Sequence, residues 1–146
     1  MLSRGRAEAV AAMAAAQEAA PAGEPGQHAP GRRHPRPFVV VGSPWAAVTE
    51  EGAARNRAYA LDALADSLQR GEAPVAPHLL YPAVLDDAVA AERARGVEAG
   101  QALIARCALL AVYVDFGISP GMRAEIAAAR AAGVPVVFRD MPEAAR

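Results

Sequence analysis

Leu109-Leu110-Ala111-Val112-Tyr113-Val114-Asp115-Phe116-Gly117-Ile118-Ser119-Pro120-Gly121-Met122-Arg123-Ala124-Glu125-Ile126 joins an apolar run to a helix opening with only a short loop between them. The run Leu109 to Val114 predicts a buried strand, and Ser119-Pro120-Gly121 supplies an N-cap, a first-turn proline and an unobstructed amide. Strand, short loop and helix start are the parts from which open α/β folds build a ligand site at the carboxyl edge of the sheet. Glu125 makes this edge chemically interesting. Gly121 lies four residues earlier, so on a helix the position beneath the Glu125 carboxylate carries no side chain, and a flat ligand or a sugar has room to approach.

The segments on either side repeat the alternation of strand and helix. Phe38-Val39-Val40-Val41-Gly42 predicts a short parallel strand buried on both faces. From about Glu50 to Arg70 the spacing of Ala54, Ala58, Leu61, Ala65 and Leu68 predicts a helix with those residues inward and Gly71 as its stop. Ala73 to Ala76 reads as a second strand. Pro77-His78-Leu79-Leu80-Tyr81-Pro82 is expected to be irregular, because proline lacks the backbone donor. A helix over about Ala88 to Arg106, begun or capped by Asp86 and Asp87, leads to the Leu109 strand. A helix over Pro120 to Ala132 closes at Gly133, and Val134 to Phe138 forms the last strand. The expected architecture is α/β, a single-domain flavodoxin- or Rossmann-like three-layer fold with a short parallel sheet. Residues 37–146 make up this domain. Residues 1–36 are alanine, proline, glycine and arginine in low-complexity order, and are expected to be a disordered tail with a frayed helix over Ala7 to Ala20.

Composition excludes more than it identifies. The 146 residues suffice for one domain, and 15 basic against 16 acidic residues leave a formal charge of -1. That balance gives no reason to expect nucleic-acid binding. One cysteine, Cys107, excludes an intrachain disulfide, and three histidines make a metal site unexpected. No run approaches the roughly 18 apolar residues of a membrane span, so the reading is a cytoplasmic protein with no membrane partner.

Four segments leave the carboxyl ends of the expected strands, and the polar candidates gather in them. Ser43 and Trp45 follow the first strand, either as a ligand anchor and a stacking ring or as a turn serine and an apolar plug. His78 follows the second, as a ligand contact or as a structural histidine. Ser119, Gly121 and Met122 cap a helix, and the same amides and dipole end suit a phosphate or carboxylate. Glu125 is either a reactive carboxylate or a solvated charge. Asp86 and Asp87 are weaker candidates for orienting a substrate hydroxyl, and Asp115 joins the ligand-binding candidates in the segment after the third strand.

Four motifs carry a resemblance: Ser43-Pro44-Trp45, Arg55-Asn56, Ala76-Pro77-His78-Leu79-Leu80-Tyr81-Pro82, and Ile118-Ser119-x-Gly121-Met122-x-x-Glu125-Ile126. With these, the span from about Phe38 to Phe138 resembles the nucleoside 2-deoxyribosyltransferase-like superfamily, and within it an uncharacterised bacterial and phage domain family. The resemblance implies N-glycosidic chemistry in which Glu125 attacks the anomeric carbon of a nucleoside or nucleoside monophosphate. Water takes the glycosyl group in a hydrolase, and a second base takes it in a transferase. It places a phosphate near Ser119, Gly121 and Met122, gives His78 a role in the catalytic site, and adds Asn56 to the ligand-binding set. It requires no cofactor. It also implies a homo-oligomer, which the small residues Ala90, Ala91, Ala94, Ala99 and Ala102 would let pack closely. Two departures stand out. Gly100 occupies or adjoins the position where characterised members carry a second carboxylate, and Cys107-Ala108 replaces Cys-Asp. The general acid is therefore unassigned among Asp115, Asp87 and His78, and a non-catalytic nucleotide-binding sensor is the rival reading.

Overall fold

The computed structural model describes residues 35–142. The expected tail and its frayed helix fall almost wholly outside that range. Four strands, β1 (Phe38–Gly42), β2 (Ala73–Val75), β3 (Leu109–Tyr113) and β4 (Val136–Arg139), alternate with helices α1 (Glu50–Gln69), α2 (Pro77–Leu80), α3 (Ala90–Ile104) and α4 (Pro120–Ala131). The sheet is wholly parallel, in the order β2-β1-β3-β4. The α/β three-layer fold is thus as the alternation of elements predicts.

β1 and β3 lie at the centre, paired from Val39 with Leu109 to Gly42 with Val112. Successive residues of a strand face opposite sides, and here both sides are covered. Val39, Val41, Ala111 and Tyr113 pack against Tyr59 and Ala63 of α1. Val40, Leu110 and Val112 pack against Ile104 of α3 and Met122, Ile126 and Ala129 of α4. Each fully buried valine of β1 contributes about 1.5–3 kcal/mol relative to exposure. Chain direction reverses about this pair: β1 leads outward to β2, and β3 leads outward to β4. The carboxyl ends of β1 and β3 therefore mark the topological switch point, where open α/β sheets bind ligands.

Two expectations are corrected. The inward face of α1 is not the alanine and leucine stripe: Leu61 and Leu68 are each 51 % exposed, and Ala54, Ala58 and Ala65 face solvent. The buried positions are Asn56, Tyr59, Ala60, Ala63, Asp66 and Ser67. The polar members of that face have partners, which removes the usual penalty for burying them. The segment from Pro77 is also regular, forming α2 and then a 3-10 turn at Tyr81–Ala83. Pro77 and Pro82 each fall in a first turn, where the missing N–H would have had no helical partner.

Beneath the C-terminal half of α1 runs a buried polar network. Arg139 of β4 donates to both Glu72 carboxylate oxygens, at 2.6 and 2.8 Å, and Ser67 Oγ donates to Glu72 Oε2 at 2.6 Å. Tyr113 OH accepts from Arg139 at 3.3 Å and donates to Asp66 at 2.7 Å, and Asp66 also accepts from Arg70 at 2.7 Å. These bonds tie α1, the start of β2, β3 and β4 together. Glu72→Ala leaves the Arg139 guanidinium buried and unpaired, so it is expected to cost about 3–5 kcal/mol. Urea denaturation would read this as a lower midpoint at unchanged slope.

Candidate functional site

Glu125 stands in the second turn of α4 and reaches back over the end of β1. Gly42 lies directly beneath it: a Cβ at position 42 would sit 2.8 Å from Glu125 Oε2. Gly121, the glycine singled out by helical spacing, is exposed, with only the Ser119 hydroxyl near its missing side chain. Room for the carboxylate thus comes from Gly42, across the sheet edge, while Gly121 keeps the approach along the helix open. Among the described residues no donor bonds the Glu125 carboxylate. Burial without compensation pushes its pKa up to about 7. The helix end does not hold it ionised, because that field fades beyond the first turn.

Ser43, the next residue after Gly42, is buried, and its Oγ lies 2.8 Å from His78 Nε2. α2 brings this histidine to the end of β1, and the Trp45 ring meets it edge-on at 5.8 Å between centroids. His78 Nδ1 is enclosed and has no partner among the described residues. Burial lowers the imidazole pKa to about 4, so the ring is neutral at pH 7.

The other candidates divide by what their polar groups already do. Asn56 is buried, and its amide donates to the carbonyls of Trp45 (3.2 Å) and Ala46 (3.3 Å), so it shapes the loop after β1. Asp115 accepts from Tyr59 OH at 2.6 Å and from the Met141 amide at 2.9 Å, anchoring the loop after β3 to α1. Ser119 accepts from the Met122 amide at 3.3 Å, and Met122 is buried. With that amide bonded and Pro120 lacking one, Gly121 carries the first-turn N–H that has no partner among the described residues. Asp87 is exposed ahead of α3, where its carbonyl accepts from Arg93 and Asp86 makes the turn. Gly100 is buried in α3, and its missing Cβ would lie 3.6 Å from Pro77. That position packs against the helix carrying His78.

Sequence reasoning missed Gly42 and Tyr59. Gly42 reads only as the end of a β-branched run, and nothing local signals that a helix many residues later will rest on it. Tyr59 lies on the face of α1 opposite the stripe of Ala54, Ala58, Leu61, Ala65 and Leu68, and its burial there has no signal in the helical spacing of apolar residues. Beside it lies Phe116, with Tyr59 edge-on at 4.8 Å and the Arg55 guanidinium 4.4 Å above its ring. Among the described residues no group of histidine, cysteine, aspartate and glutamate is arranged to hold a metal ion, and no helix is long and apolar enough to cross a membrane.

A four-stranded, wholly parallel sheet covered by helices on both faces, with an uncompensated carboxylate and a serine–histidine pair at its switch point, defines a single-domain three-layer α/β protein. More particularly, residues 37–139 match the family described as domain of unknown function DUF7768, and the chain belongs to that family. Comparison with the curated proteins finds no match.

The site has a measurable cost. Unfolded, the Glu125 carboxyl titrates near its ordinary 4.5, and folded near 7. Between these values the folded protein holds the extra proton, so stability falls as pH rises across the window and stays low above it. Glu125→Gln is therefore expected to be about 3 kcal/mol more stable than the native chain at pH 8 and equal to it at pH 4. Paired denaturation curves at the two pH values measure the difference.

Proposed function

We propose that the domain binds a nucleoside or nucleoside monophosphate at the carboxyl ends of β1 and β3 and cleaves or exchanges its N-glycosidic bond through Glu125. One observation carries the reading: a carboxylate with no bonded partner among the described residues, desolvated and lying over a side-chain-free strand end. A solvated or structural glutamate would be exposed or hydrogen-bonded. Its ionised form is a poorly solvated anion beside which a developing oxocarbenium-like centre is stabilised. In the proposed reaction a Glu125 oxygen bonds to the anomeric carbon as the carbon–nitrogen bond breaks. The bond pair leaves with the base, which takes a proton from solvent. Water or a second base then displaces the carboxylate and restores it. The resemblance to nucleoside 2-deoxyribosyltransferase-like enzymes, which rests on Gly121-x-x-x-Glu125 and Gly42-x-x-Trp45, supports the same chemistry. The unpartnered Gly121 amide is the first-turn donor left for a phosphate oxygen.

A second reading, a nucleotide-binding sensor without turnover, is favoured by Gly100. No carboxylate can be supplied from that position, and Asp115 already accepts two hydrogen bonds. The two readings part on one experiment, incubation with a panel of nucleosides and their monophosphates followed by detection of free base. As a nucleophile Glu125 acts ionised, so kcat/KM is expected to rise with pH through about 7 and level off above it. Glu125→Gln is expected to lower turnover by several orders of magnitude while retaining most binding. Binding without released base at any pH selects the sensor.

Pairing of two copies is part of the proposal. Phe138 on edge strand β4 is 49 % exposed and, with Ile118, Ile126 and Ala127, lines an open groove that Arg123 and Arg130 also border. Ala90, Ala91, Ala94 and Ala102 of α3 also face solvent. Light scattering at high micromolar concentration is expected to report a dimer or larger assembly, and a monomer there removes this element of the proposal.

A further inference from the structure

We propose that Ser43 is an oriented hydrogen-bond donor to an oxygen of the ligand's pentose, and that His78 is the positioning residue that makes it one. This rests on the placement of Glu125 against the anomeric carbon. The Ser43–His78 contact of 2.8 Å is compatible with two arrangements of protons. In one, Ser43 donates to Nε2 and the ring proton sits on Nδ1, as a serine nucleophile with a histidine base would require. In the other, the ring proton sits on Nε2 and is donated to Ser43 Oγ, which leaves the hydroxyl proton for another acceptor.

The surroundings of Nδ1 choose between them. That atom is enclosed and has no partner among the described residues. A proton there would be an orphaned buried N–H, which is rarer in folded proteins than an under-satisfied acceptor. The ring proton therefore belongs on Nε2, and the Ser43 oxygen accepts it. Among the described residues the hydroxyl has no other partner, so its own proton lacks an acceptor in a residue only 5 % exposed. Buried donors are normally bonded, and an unmet one at a switch point marks the place of a ligand acceptor. Ser43 adjoins Gly42, over which the Glu125 carboxylate lies. A ligand whose anomeric carbon meets that carboxylate brings its pentose oxygens nearest to Ser43.

The pairing also excludes a reactive serine. With Nε2 protonated and the ring neutral, the one side chain bonded to Ser43 Oγ among the described residues has no site to take its proton. His78 acts only through Ser43, and does not itself touch the reacting atoms.

The first test is long-range proton–nitrogen correlation on the full 15N-histidine-labelled chain at pH 7, with the His78 signal identified by its loss in His78→Gln. A proton on Nε2 is expected; a proton on Nδ1, or an imidazolium, overturns the proposal. The second test measures binding and base release with the common ribo- and deoxyribonucleoside monophosphates. Ser43→Ala is expected to weaken binding about tenfold, the effect of losing one hydrogen bond to a buried group. His78→Ala should match it and add nothing in the Ser43→Ala background, because the two act as one unit. His78→Gln, whose side-chain amide can reproduce the Nε2–H donor, should recover most of the loss. If the Ser43→Ala penalty appears with ribose and vanishes with deoxyribose, the acceptor is the 2′ oxygen. If it is equal for both, the acceptor is another pentose oxygen. Binding that ignores Ser43 while base release still requires Glu125 overturns this inference alone, and failure of every nucleotide to bind overturns the proposed function with it.

Discussion

The double-sided burial of β1 and β3 is the constraint on which the rest of the molecule depends. A parallel strand at the centre of a sheet must fill space on both faces, so Val39 and Val41 need one helical layer while Val40 needs another. Those layers can be supplied only by crossovers, and the order β2-β1-β3-β4 puts the reversal of direction between the two central strands. The same arrangement that closes the core therefore puts the switch point at one end of it. Gly42, the last residue of β1, sits at that end. A Cβ there would come within 2.8 Å of Glu125 Oε2, so the carboxylate keeps its place only because residue 42 has no side chain.

Polar burial in this protein is of two kinds. The network of Glu72, Arg139, Tyr113, Asp66, Ser67 and Arg70 is satisfied: hydrogen bonds from Arg139 draw the Glu72 carboxyl below its ordinary pKa, and those from Arg70 and Tyr113 do the same for Asp66. Glu125 and His78 are buried without such compensation, and burial alone moves both toward their neutral forms. Satisfied networks hold elements together. Uncompensated groups of this kind cluster where a protein binds or reacts. The contrast within one small domain separates the satisfied polar groups from the uncompensated ones more sharply than position along the chain does.

The loop anchors have a related part. Asn56 holds the backbone at Trp45 and Ala46, and Tyr59 holds Asp115, so one face of α1 steadies the loops after both central strands. Asp115 carries the look of a ligand contact in the sequence because it is polar and follows a strand, and Asn56 enters through the resemblance. Their hydrogen-bonding capacity is already directed at the scaffold, whereas the Glu125 carboxylate and the Gly121 amide have no hydrogen-bond partner among the described residues.

The sequence by itself determined the strand and helix alternation, the three-layer class and the carboxyl-edge location of the candidates. Short β-branched runs and capped helix starts are local signals with local causes. Ser119 and Gly133 mark the ends of α4 for that reason. Only the tertiary structure decided which face of α1 is buried, because Asp66 and Ser67 are tolerable inside only once Tyr113 of β3 meets Asp66 and Arg139 of β4 holds Glu72, the partner of Ser67. It decided likewise that Gly42 underlies Glu125 and that Ser43 meets His78, contacts between residues 83 and 35 positions apart. Such pairings are set by the order of strands in the sheet, and no periodicity along the chain encodes them.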